Sequence, residues 1–165
     1  MARFKARLGK DGIPAALDGI IAAPSIMASI IGRTMPSMNG MPLGADKAIT
    51  DGAFNQPYDI IDFRMSGVDA PLGVPVGFWR SVGSSHTAFS TECFLDEVAA
   101  AAGKDPVAFR LTMLAKHPRH AGVVKLAAEK ANWGKPAAGT FQGIAVHESF
   151  GSYVAQVAEV TVAAD

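Results

Sequence analysis

A tryptophan, an arginine and a run of small residues stand together at Trp79-Arg80-Ser81-Val82-Gly83-Ser84-Ser85, directly ahead of a segment with helical periodicity. A Gly/Ser loop that leads into a helix start offers backbone N–H groups to a ligand oxygen, because the first turn of a helix leaves its donors without intrahelical partners. Arg80 adds a planar guanidinium able to hold a phosphate or another oxyanion through two parallel hydrogen bonds. The combination is suited to an anion or cofactor-phosphate contact. It predicts a guanidinium beside a cavity rather than out in bulk solvent.

Other chemistries find less support. Glu92 and Asp96 lie four residues apart on the predicted helix, where like charges repel by a few tenths of a kcal/mol when exposed. Two readings stand: a solvated edge or a pair with Arg110 or Arg119, and a catalytic acid/base pair that has no histidine or second partner nearby. The histidines His86, His117, His120 and His147 do not fall at metal-ligand spacing with the single Cys93. His117 and His120 are expected exposed at a helix start. Ser81, Ser84 and Ser85 lack a Gly-x-Ser-x-Gly elbow, and no Gly-Lys-Ser/Thr phosphate loop occurs.

The elements that must position these residues follow from patterning. With 165 residues, 49% of them hydrophobic, the chain can bury one sizeable core. Fifteen basic and fifteen acidic residues cancel, so bulk charge draws it neither to nucleic acid nor to an anionic membrane surface. No apolar run has the length of a membrane span, and the start lacks the charged and apolar regions of a signal peptide. Residues 2–8 read as a strand that turns at Lys10-Asp11-Gly12 into a second one. Four prolines and four glycines make Pro24 to Pro57 largely irregular, with a short helix near Ile26 to Ile31. Its Met27, Met35, Met38 and Met41 are read as gap-fillers against a partner surface.

A strand over Asp59 to Val68 and a break over Pro71 to Pro75 come next. A helix from His86 to Ala102 should end at Gly103, a second should start with Asp105 as cap and Pro106 in its first turn, and a third should span Arg119 to Ala131. On the first of these, Ala88, Thr91, Leu95, Val98 and Ala102 form one apolar stripe, and Phe89, Cys93 and Ala100 a second, which predicts a helix enclosed on two sides. Ser152 to Val162 is apolar on both faces and expects neighbours in a sheet. The fold class is α+β, with strands of mixed sheets around a central segment of two to three helices.

The run GFWRSVGSSHTAFSTECFLDEVAAAAGKDPVAFRLTML, followed by PRH, KANWG and GIAVHESFGSYVAQVAEVTV, resembles the molybdopterin-binding large subunit of the xanthine dehydrogenase and aldehyde oxidase family, nearest the branch formed by the beta subunits of isoquinoline 1-oxidoreductases. The resemblance is strong from Gly77 to Val162 and looser from Arg3 to Met65. It implies molybdenum hydroxylation of an N-heterocycle or aldehyde, with water as the oxygen source and a molybdopterin cofactor in a dinucleotide form. Electrons would leave through an iron-sulfur small subunit. It also implies that Trp79, Arg80, Ser81, Val82, Gly83, Ser84 and His86 contact the cofactor.

The departures are specific. Many relatives carry an aromatic residue where Val82 stands, a Gly where Ser81 stands, and in other branches a Gln where His86 stands. Phe150, Gly151 and Tyr153 fall near the family's substrate-facing strand. The family's catalytic Glu, from a Gly-Glu motif, has no equivalent here, and Glu148 of His147-Glu148-Ser149 is read as a structural acid. Residues 1–76 are expected to be part of a first cofactor-binding domain, and 77–165 the cofactor loop, the helices and the start of a second. The chain is expected to be an inactive fragment on its own, completed by the rest of the large subunit. The alternatives are a non-catalytic assembly module and a truncated chain that does not fold.

Overall fold

Alternating side chains open the chain as a hairpin. In the computed structural model, which describes residues 1–38 and 44–163, β1 (Ala2–Leu8) and β2 (Pro14–Ala23) pair antiparallel around a turn closed by Asp11, whose carboxylate accepts from the Ile13 N–H at 3.0 Å. β3 (Asp62–Asp69) runs parallel to β2 and completes a sheet ordered β1-β2-β3. It begins three residues later than its sequence pattern suggests. Between β2 and β3 lies α1 (Ile26–Thr34), capped by Ser25, whose hydroxyl accepts from the Ala28 N–H. Short 3-10 turns follow at Pro36–Met38 and Lys47–Ile49. Met27 and Met35 are exposed and Met38 is half-buried, while Met41 lies outside the described residues.

Three helices then follow in the order that the caps predict: α2 (Ser84–Ala101), α3 (Pro106–Met113) and α4 (Pro118–Lys130). Gly103 takes φ +64 just beyond α2, and Asp105 caps α3 by accepting from the Ala108 N–H. Last come β4 (Thr140–Ser149) and β5 (Ser152–Thr161), an antiparallel pair joined through Phe150 and Gly151, both at positive φ as a two-residue hairpin turn requires.

The main core gathers Leu95, Val98 and Ala99 of α2, Phe109 and Met113 of α3, Val124 of α4, and Ile144 and Val146 of β4 around Tyr58. Leu8, Ile13 and Ile60 pack against the same cluster, so it draws side chains from both sides of residue 76. A smaller cluster of Ile21, Ile49 and Ala53 sits under the first sheet.

Two expected enclosures are not supplied by the described residues. The second stripe of α2 is open, with Phe89 73% exposed and Cys93 and Ala100 also at the surface, so the helix is covered on one side only. β5 pairs with β4 alone among the described residues, and its apolar residues Val154 and Val160 stand exposed. Among these residues no helix is long and apolar enough to cross a membrane.

Candidate functional site

The loop ahead of α2 is tightly wound. Ser81 and Val82 both take left-handed backbone conformations, at φ 66 and 46, a geometry that costs about 1–2 kcal/mol per non-glycine residue. Gly83 is buried, and a Cβ there would collide with the Ala48 carbonyl oxygen and stand 2.8 Å from Asp51 Cβ. Its missing side chain lets the start of α2 sit on the 47–51 turn. Thr87 fastens the same contact by donating its hydroxyl to the Asp51 carbonyl at 2.6 Å.

Several of the donors expected to be free are taken. The N–H groups of Val82, Ser84, Ser85 and His86 bond to the carbonyls of Trp79, Ser81, Val82 and Gly83 at 2.9–3.2 Å, and the Ser85 hydroxyl bonds to the Val82 carbonyl. Trp79 is 77% exposed, and Arg80 is exposed with no hydrogen bond or ion pair among the described residues. His86 borders a surface groove shared with Met1, Ala22 and Phe89. The guanidinium therefore stands in solvent, and the expectation that it lines a cavity is not met within this chain.

The enclosed polar site lies elsewhere. Glu92 is buried in the core, where its Oε1 accepts from the Tyr58 hydroxyl at 2.7 Å and its Oε2 accepts from Arg110 Nε at 3.0 Å and from the Val146 N–H at 2.8 Å. Arg110, fully buried, also donates to the Glu92 carbonyl at 3.1 Å, to Asp96 Oδ1 at 2.6 Å and to the Pro106 carbonyl at 3.3 Å. One acid and one base thus join α2, α3, β4 and the segment before β3.

Every group around the Glu92 oxygens is a donor, the arrangement that suits an ionised carboxylate. Burial pushes its pKa up, against the pull of Arg110 and the Val146 amide. Burial, and then the charge of Glu92, raises the Tyr58 hydroxyl well above its ordinary value. Of the two readings from spacing, pairing with Arg110 is realised. The solvated edge fits only the partly exposed Asp96, and Arg119 instead lies over the Tyr153 ring at 4.2 Å.

His120 corrects the other surface expectation. It is buried, 3.6 Å from Glu148 Oε2 and edge-on to Tyr153 at 4.7 Å, so it pins α4 to the β4–β5 hairpin. His147 points its Nε2, buried and unpartnered, toward the Gly52 turn, where an added Cβ would come within 3.0 Å of it and 2.7 Å of the Ser84 hydroxyl. Burial lowers the pKa of both histidines, partly offset at His120 by Glu148 and at His147 by Asp51. No group of three or more potential ligands able to hold a metal occurs among the described residues.

Sequence reasoning missed Tyr58, Val146 and Gly52. Tyr58 alone carried a signal: an aromatic hydroxyl just ahead of a strand needs a partner once buried. A backbone amide such as that of Val146 has none.

No family model matches the chain. It is 32% identical over 122 residues to a subunit of nicotinate dehydrogenase from Pseudomonas putida, a match covering 70% of this chain and 10% of that protein. It is 33% identical over 107 residues to the beta subunit of isoquinoline 1-oxidoreductase from Brevundimonas diminuta, covering 62% of this chain and 14% of that one. Its fold matches part of the aldehyde oxidoreductase of Desulfovibrio gigas, with a TM-score of 0.54 and 19% identity over 88% of this chain and 17% of that chain. The chain therefore spans a small part of the length of these relatives. Trp79 to Ser85 alone do not enclose a molybdopterin; they present a guanidinium, an indole face and the amides of Arg80 and Ser81, which have no hydrogen bond among the described residues.

Proposed function

We propose, starting from the homology of this chain to part of the molybdenum hydroxylase large subunit, that the whole protein oxidises an N-heterocycle or an aldehyde with water as the oxygen source. The family uses a molybdenum cofactor; here we read it as a dinucleotide form, with an iron-sulfur small subunit as electron acceptor. Two of the similar proteins are named for the N-heterocycles nicotinate and isoquinoline. The aldehyde oxidoreductase whose fold this chain shares in part keeps the aldehyde beside the heterocycle in the proposal.

Within that reading the chain carries no catalytic residue. Trp79, Arg80, Ser81, Val82, Gly83, Ser84 and His86 would form one wall of the cofactor's surroundings, and the remaining walls would come from sequence outside this chain. Residues 1–76 and 77–165 would belong to two cofactor-binding domains of the whole subunit. The observation that carries this role is Arg80, an exposed cation with no hydrogen bond or ion pair among the described residues, beside a wound loop that bonds part of its own amides. Such a guanidinium is free to meet an oxyanion.

The amides that bond within the loop favour a second reading, an assembly scaffold that never touches the cofactor. One experiment separates the two. Arg80→Ala in the complete protein, measured for molybdenum per polypeptide, should lower metal content under the first reading, with Arg80→Lys falling between. Unchanged metal and rate would refute that role and leave the scaffold.

A further inference from the structure

The free edge of the first sheet carries a charge pattern that the fold does not use. Among the described residues β1 pairs with β2 alone, so the outward N–H and C=O groups of Ala2–Leu8 form an open edge. Phe4 turns inward to stack on Phe94 at 5.3 Å, and Leu8 packs on the main core. Arg3, Lys5 and Arg7 alternate with them and are exposed, a row of cations about 6.8 Å apart at extended-strand spacing.

Register places this row beside two further columns, as Arg3–Ile20–Ser66, Lys5–Asp18–Arg64 and Arg7–Ala16–Asp62. The acids on this face are already committed. Asp18 is held by Arg64 through two bonds of 2.7 and 2.8 Å. Asp62 meets Arg7 at 3.5 Å with both side chains more than two-thirds exposed, a weak pair. Arg3 and Lys5 have no ion pair among the described residues. A depression of about 580 Å³ bordered by Lys5, Arg7, Asp18, Asp62 and Arg64 spans all three strands and leaves room over the sheet for incoming side chains.

The charges also select the occupant. A second copy pairing along this edge would set cations against cations, which is unfavourable for directly opposed side chains. Carboxylates at alternate positions of an extended segment would instead meet each cation in turn. We propose that β1 is a docking edge for an extended acidic segment of a partner polypeptide, which adds as a fourth strand and sets alternate Glu or Asp side chains against Arg3, Lys5 and Arg7. Main-chain pairing supplies the affinity and the cation row supplies the selection.

The test is fluorescence anisotropy of the full chain with a labelled peptide in which Glu alternates with Thr. Saturable binding at low ionic strength is expected, about tenfold weaker for Arg3→Glu/Lys5→Glu and lost when the peptide's alternate backbone amides are methylated. Circular dichroism of the variant should match the wild type, since both side chains are exposed. No saturable binding would overturn the proposal, as would equal binding by the methylated peptide or by one with Lys in place of Glu.

Discussion

The Trp79–Ser85 loop, which leads into α2, and the pair that Glu92 forms with Arg110 of α3 from midway along that helix invert what their residues suggest. The loop has the chemistry that catches the eye, yet its arginine is solvated and three of its amides bond within the loop. Glu92, which looks like one of two surface acids, is buried among three donors and joins four parts of the chain. The difference teaches that a residue without internal partners is free for something outside the chain, while a fully partnered one is structural whatever its chemical type.

The largest expected effect lies at the buried pair. Arg110→Ala strands the Glu92 charge in the core and should cost about 3–5 kcal/mol of unfolding free energy, read by urea denaturation; a loss typical of a surface site would break the comparison. Gly83→Ala comes next, at about 1–3 kcal/mol for overpacking, because the new methyl meets the Ala48 carbonyl. Tyr58→Phe should be similar or smaller, about 1–2 kcal/mol, from one lost donor to a buried carboxylate.

A smaller effect should follow pH. His120 and His147 have pKa values held below the ordinary 6.5 by burial, so the folded chain binds fewer protons than the unfolded one near that value. Their contribution is full above 6.5 and is lost as pH falls through it toward the folded values. The urea midpoint should therefore drop on mild acidification, with a shallower slope in His120→Gln. The smallest effect sharpens the contrast: Arg80→Ala should leave stability within about 0.5 kcal/mol, and a larger loss would mean the loop has a structural partner.

Much of the fold was legible because its signals are local. Asp105-Pro106 marked the start of α3, Gly103 the end of α2, and Lys10-Asp11-Gly12 the first turn, since caps and turns are decided by the residues that form them. The site was legible as a motif but not as an environment. Whether Arg80 is enclosed depends on groups remote in sequence. The burial of His120 depends on Glu148 and Tyr153 of a later hairpin. The second stripe of α2 and the two-faced β5 were read correctly as apolar, but composition does not say whether their cover lies in this chain.

The Val146 amide gives the most direct reading of whether Glu92, rather than the loop, organises this chain. Its N–H points away from β5 and donates to the Glu92 carboxylate, so its hydrogen exchange reports that junction alone. Protection that fails only with global unfolding, beside fast exchange at Arg80, is the expected result. Fast exchange at Val146 in the folded chain would contradict it.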